Sequence, residues 1–230
     1  GTKPMGVAVS PDGSRLYVTN FLTATASGAG SLWVNGTLTV VDTATRTVVA
    51  ILTVGTNPSG VAVSPDGSRV YVANAGSGTL SVVSAASNTV SATIPVGANP
   101  VGVAASSNGQ RIYVANSGAA SVSVIDAATL AVSSTVLVGG HATGVAVSDD
   151  STRVVVSNSF DHSVSVIDAG TLAVTATTTA GIGQMPAGVA FVPGTSTALV
   201  ANAKGASASS VNASSGAATT LTSAVLGWPV

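Results

Sequence analysis

Gly60–Asn74 reads GVAVSPDGSRVYVAN, and how this stretch folds decides the fold of the whole chain. Val61-Ala62-Val63 and Val70-Tyr71-Val72 are short apolar runs rich in β-branched and aromatic residues, which suit pleated strands better than helices. Between them lies Pro65-Asp66-Gly67-Ser68. Its proline presets φ, its aspartate bonds nearby backbone, and its glycine tolerates φ > 0. The stretch predicts a β-hairpin with a four-residue connection.

The same block recurs along the chain. Its leading glycines are Gly6, Gly60, Gly102, Gly144 and Gly188, at spacings of 54, 42, 42 and 44. Asn20, Asn74, Asn116, Asn158 and Asn202 close the second run with the same spacings. A period near 42 marks stacked supersecondary units, none able to bury its apolar faces alone.

Each unit carries two further strand-like runs. One is Thr37–Asp42, echoed by Thr79–Ser84, Ser121–Asp126, Ser163–Asp168 and a degraded Ser207–Asn212. The other is Val48–Val54, echoed by Val90–Val96, Val132–Val138, Val174–Ala180 and a weak Thr219–Leu226. Four strands in about 42 residues is the pattern of a propeller blade. The expected fold is an all-β propeller of five four-stranded antiparallel blades, near residues 1–55, 56–97, 98–139, 140–181 and 182–230. Within a blade the first strand lines the channel and the fourth lies at the rim, where Pro95 is tolerated.

Tyr17-Val18-Thr19-Asn20, Tyr71-Val72-Ala73-Asn74 and Tyr113-Val114-Ala115-Asn116 resemble the YVTN β-propeller repeat family. Pro58–Gly67, Ser123–Asp126 and Val96-Gly97 fit the wider signature, while Val155–Asn158 and Leu199–Asn202 lack the tyrosine. The resemblance covers essentially the whole chain. It implies a surface-layer or exported protein, a seven-bladed ring in most members, and lactonase-like enzymes among related propellers. A repeat specifies a fold, not an activity.

Composition narrows the function. Only 7% of residues are charged and the net charge is −1, which argues against nucleic acid or an anionic membrane as partner. There is no cysteine, hence no disulfide framework and no thiolate metal site. No apolar run approaches the roughly 20 residues of a membrane helix. Many small polar residues with few charges suggest an extracellular or cell-surface protein, the periplasm included. The chain opens without an initiating methionine or signal peptide, which fits an upstream targeting segment having been removed.

Gly1–Gly6 matches Gly55–Gly60, and Gly227–Val230 matches the start of the same linker, so the chain holds five whole blades. Left as an open arc, the two end faces would forgo on the order of 10 kcal/mol of apolar burial, comparable to a domain's net stability. The ring is therefore expected to be closed by these five blades, by missing blades or by a partner.

Residues that break the repeat on the loop face are the site candidates. Phe21–Gly36 is 16 residues long where Ala75–Gly78 is 4, and it carries Phe21, Leu22 and Trp33 in a chain with 3% aromatics. A long connection of this kind suits a binding loop, and also a β-ribbon extending the strands. His141 replaces Asn57 and Asn99, while His162 lies beside Asp161 in a neighbouring loop of the fourth blade. Two imidazoles and a carboxylate are candidate ligands for a divalent metal, or an acid–base set. No cofactor is otherwise expected.

The repeated Asn20, Asn74, Asn116, Asn158 and Asn202 read as turn formers bonding loop backbone. Arg15, Arg69, Arg111 and Arg153 read either as turn-bonding or snorkelling side chains or as a charged ring. Asp149 and Asp150, on the opposite face, read as solvated. The leading expectation is a non-enzymatic scaffold binding a protein or glycan through the loop face. A lactonase-like or metal-assisted enzyme at the channel mouth is the alternative.

Overall fold

A computed structural model describes residues 2–22, 35–204 and 206–221. It contains twenty strands in five four-stranded antiparallel sheets, each a meander in sequence order. The first sheet is β1 (Thr2–Val9), β2 (Arg15–Leu22), β3 (Asn35–Asp42) and β4 (Thr47–Thr56). The second is β5 (Pro58–Val63), β6 (Arg69–Asn74), β7 (Thr79–Ser84) and β8 (Thr89–Pro95). β9 (Pro100–Ala105), β10 (Arg111–Asn116), β11 (Ser121–Asp126) and β12 (Ala131–Leu137) follow. The fourth sheet is β13 (Ala142–Val147), β14 (Arg153–Asn158), β15 (Ser163–Asp168) and β16 (Val174–Thr178). β17 (Gln184–Phe191), β18 (Thr197–Lys204), β19 (Ser207–Asn212) and β20 (Ala218–Leu221) form the fifth.

The hairpin at Gly60–Asn74 pairs Val61 with Val72 and Ala62 with Tyr71. Its connection is one residue longer than expected, because Ser64 joins the turn and its hydroxyl donates to Asp66 Oδ1 at 2.5 Å. A register shift between Pro58 and Val61 recurs in the first sheet between Pro4 and Val7, and in the fourth between Ala142 and Val145. It bends each first strand where the chain turns inward. Pro95 ends β8, the outermost strand of its sheet, where a missing N–H costs no ladder bond.

First strands of successive sheets touch one another, so they form the hub of a wheel. Glycine is required there. A Cβ on Gly60 would lie 2.4 Å from the Val101 carbonyl oxygen, and one on Gly102 2.4 Å from that of Thr143.

The core is a series of sheet-to-sheet interfaces built from one pattern. Tyr17 packs with Val70 and Val72 of the second sheet, Tyr71 with Ile112 and Val114 of the third, and Tyr113 with Val154 and Val156 of the fourth. At the last junction Val155 meets Ala198 and Val200. Each fully buried Leu, Val or Ile contributes roughly 1.5–3 kcal/mol relative to leaving it in water.

The ends of the series differ from its middle. Among the described residues no core cluster joins the fifth sheet to the first. Leu199 holds the position of the tyrosines but is 43% exposed, against 2% for Tyr71. Val7 and Val9 of β1 are 65% and 54% exposed, while their counterparts Val61 and Val63 are half-buried. Closure by these five sheets is thus not what the burial pattern describes.

Candidate functional site

The loops that follow each second strand and those that lead into each first strand share one face of the wheel, because strand direction alternates across a meander. In each middle sheet the two loops are tied by backbone bonds. Ala75 N–H donates to Asn57 O at 2.9 Å, Ser117 N–H to Asn99 O at 2.9 Å and Ser159 N–H to His141 O at 3.0 Å.

This geometry explains both histidines. His141 has φ +58°, and the matching Lys3, Asn57, Asn99 and Met185 have φ between +50° and +53°. His162 has φ +47°, as do Gly78, Ala120 and Ala206 at +64°, +46° and +43°. Both therefore occupy left-handed turn positions that the repeat imposes, which Asn, His and Gly tolerate better than bulkier residues.

The three candidate ligands share one loop cluster but are engaged separately. Asp161 Oδ2 accepts the Gly140 N–H at 2.6 Å. His162 Nδ1 accepts the Met185 N–H at 3.1 Å, bracing the fourth sheet against the entry to the fifth. His141 stacks on Phe160, with ring centroids 4.2 Å apart and planes inclined by 23°. Among the described residues no group of three or more His, Cys, Asp or Glu side chains is placed to hold a metal ion.

Phe160 was not legible as a site residue in the sequence, yet it is 67% exposed. Gly76 and Gly118 hold its position in the preceding units. An aromatic replacing a repeat glycine was the signal available. The backbone bond from Phe160 N–H to Gly140 O, at 3.3 Å, holds it over the His141 loop.

Of the other candidates, Phe21 and Leu22 are the last residues of β2 rather than loop, and Asn35-Gly36 open β3. The antiparallel ladder extends into both ends of the insertion because Thr2 pairs with Leu22 and Asn35 with Thr56. Phe21 is half-buried. Trp33 and the rest of 23–34 lie outside the described residues.

The repeated asparagines turn their amides mainly back across the sheet rather than into the turn that follows them. Asn74, Asn116 and Asn158 are fully buried, and their Nδ2 atoms donate to hydroxyls on the third strand. Asn74 reaches Thr79 Oγ1 at 3.1 Å and Ser81 Oγ at 2.9 Å; Asn158 reaches Ser163 and Ser165, both at 2.9 Å. The arginines bond turns, as one of the two sequence readings had it. Arg15 Nη1 donates to Ala85 O at 2.9 Å and Arg111 Nη1 to Ala169 O, each on the next sheet.

On the opposite face, successive hairpins leave clefts of about 350–540 Å³, lined at the second junction by Asp66, Arg69, Tyr71 and Asn108. One lies at each junction, so they follow from packing the units rather than from a dedicated site. The turn carboxylates there are held strongly acidic. The Ser64 hydroxyl, with the Ser68 backbone and hydroxyl, holds Asp66 at about 2. Ser10 and Ser14 do the same for Asp12, also about 2. Asp149 is exposed but not merely solvated, since its Oδ2 accepts the Gly194 N–H at 2.7 Å.

Among the described residues no helix is long and apolar enough to cross a membrane. No curated protein matches the sequence. Among solved structures the chain is similar to Kuenenia stuttgartiensis hydrazine synthase, with 24% identity and a TM-score of 0.76 over 95% of this chain. It spans 66% of that chain's length. It is also similar to a functionally unknown protein from Desulfotomaculum acetoxidans DSM 771, with 14% identity and a TM-score of 0.74, over 92% of this chain and 69% of that one. At these identities the likeness concerns the fold. The family profile "Lactonase, 7-bladed beta-propeller" matches residues 1–136, nearly all of the first three sheets, and the same four-stranded unit continues through the remaining two. The chain belongs to the lactonase, 7-bladed β-propeller family.

Proposed function

We propose that the protein is a non-enzymatic binding scaffold of the exported or cell-surface kind, taking a protein or glycan partner on its loop face. The YVTN-like repeats and the low charge support this placement outside the cell. The observation that carries it is the Phe160–His141 stack: an exposed aromatic platform in a chain with three phenylalanines, held in place by backbone bonds. Exposed aromatic faces supply contact area at low entropic cost and stack on sugar rings or on partner side chains. Phe21 and Leu22, at the end of β2, together with Trp33 further along the insertion sequence, are the second proposed contact.

The family match supports a second reading, lactone hydrolysis at the channel mouth using His141, Asp161 and His162. Against it, Asp161 and His162 Nδ1 already serve the loop backbone. A glycan array probed with the chain and with Phe160→Ala tests the first reading, with a thermal melt of each. Binding lost in the variant at unchanged Tm is expected; binding equal in the two would contradict it. Hydrolysis of γ- or δ-lactones that disappears in His141→Asn/His162→Gly would establish the second reading instead.

A further inference from the structure

Departures from the repeat gather on one pair of tied loops in the fourth sheet. The small residues of Ala75–Gly78 and Ser117–Ala120 give way there to Ser159-Phe160-Asp161-His162, and Asn57 and Asn99 to His141. The exchange is matched across the pair. A Cβ on Gly76 would lie 2.7 Å from Thr56 Oγ1, and one on Gly118 3.3 Å from Ala98 Cβ. In the fourth unit the residue at the place of Thr56 and Ala98 is Gly140, which has no side chain to crowd Phe160. Gly140 also accepts the Phe160 N–H at 3.3 Å and donates its own N–H to Asp161 Oδ2 at 2.6 Å. One glycine thus holds both the aromatic face and the carboxylate next to it.

The same turn carries polar atoms with spare bonding capacity. Asp161 is exposed, and its Oδ1 makes no hydrogen bond among the described residues. His162 is exposed too, and because its Nδ1 accepts the Met185 N–H, the proton of the neutral ring sits on Nε2. The turn therefore offers an aromatic face, an acceptor and a donor. That set suits a pyranose, whose C–H face packs on an aromatic ring while its hydroxyls both donate and accept. Charge selects among sugars. Asp161 is the one acidic or basic residue besides the histidines in 139–143 and 158–163. A uronic acid laid on Phe160 would bring its carboxylate up to that like charge, whereas a neutral sugar brings hydroxyls. Lys204 holds Phe160's position on the fifth sheet and is exposed, so water and salt screen it.

We infer that the Phe160–His141 stack is a subsite for a neutral pyranose, with Asp161 accepting from its hydroxyls and turning away sugars that carry a carboxylate. The inference rests on the loop-face reading proposed above and narrows it to one class of glycan.

The test titrates methyl β-D-glucopyranoside and methyl β-D-glucuronide into the 230-residue chain, read by the NMR shifts of the backbone amides of 139–143 and 158–163. The neutral glycoside is expected to move these amides and to bind at least about threefold more tightly than the glucuronide at low salt. The gap should narrow as salt is added. Asp161→Asn keeps an acceptor for the Gly140 N–H and removes the charge, so glucuronide affinity should rise to that of the neutral sugar at unchanged Tm. Phe160→Ala should abolish binding of both. Glucuronide binding as tight as the glucoside, or a preference that survives both added salt and Asp161→Asn, would overturn the inference and leave the loop-face reading in place. Silence with both probes would overturn it as well, the wider reading then standing or falling on whether array binding depends on Phe160. Equal shifts in Phe160→Ala would overturn the inference and that reading together.

Discussion

Arg69 on the second sheet donates from Nη1 to the backbone carbonyl of Ala127 on the third, at 2.5 Å. Arg15 and Arg111 make the same reach to Ala85 and Ala169, so one charge-assisted bond staples each of the first three junctions. Arg153 departs from the series: its Nη1 pairs with Asp168 of its own sheet at 2.6 Å. Arg69→Met should therefore cost about 1–2 kcal/mol. Arg153→Met should cost less, about 0–1 kcal/mol, since a partly exposed pair is screened by water. Thermal melts of the two variants check the ranking.

Asn74→Ala removes an amide that serves two hydroxyls, Thr79 and Ser81, and accepts the Gly55 N–H at 3.1 Å. Because Asn74 is fully buried, partners left unpaired cost about 1–3 kcal/mol. Asn74→Ala should lower denaturant stability by that amount. Ala substitution of Ser87, exposed on the β7–β8 turn, should cost less than half as much.

Arg46 has φ +58° at the turn position where the second sheet places Asn88, φ +52°. Arg46 is exposed and gives up no core packing when replaced. Arg46→Asn should stabilise by a few tenths to about 1 kcal/mol, by putting a residue tolerant of left-handed backbone there. A rise in denaturation midpoint with unchanged slope is the expected result.

Acid sensitivity follows from the hairpin turns. Asp12 and Asp66 titrate near 2 in the folded chain, below the roughly 3.9 of an unfolded aspartate. Their folded values are depressed, so their contribution is fully present above about pH 4 and fades as the pH falls toward 2. Tm should be flat from pH 7 to about 4.5 and decline below it. Ser64→Ala removes the strongest bond to Asp66 and should raise that carboxylate's midpoint, read by NMR titration, while Asp12 stays put.

Much of the fold was legible because the units repeat: one hairpin pattern read at Gly60–Asn74 recurs, and its period counts the sheets. The roles of repeated polar residues were less legible. An asparagine ending a strand looks the same in sequence whether its amide turns to the loop or back across the ladder. Asn74 turns back because residues five and seven further on, Thr79 and Ser81, place hydroxyls opposite it on β7. The histidines drew attention as departures from the repeat, while the constraint behind them, a left-handed backbone, shows only in dihedral angles. Phe160 went unread because a single aromatic in a turn has no period to betray it.

Amide hydrogen exchange across the whole chain tests the central claim, that each sheet is sealed by its neighbours and that, among the described residues, the two end sheets have one neighbour each. The account predicts the strongest protection in β6, β10 and β14 and clearly faster exchange in β2 and β18. Equal protection of all five second strands would contradict it, since that result belongs to a wheel closed by five sheets alone.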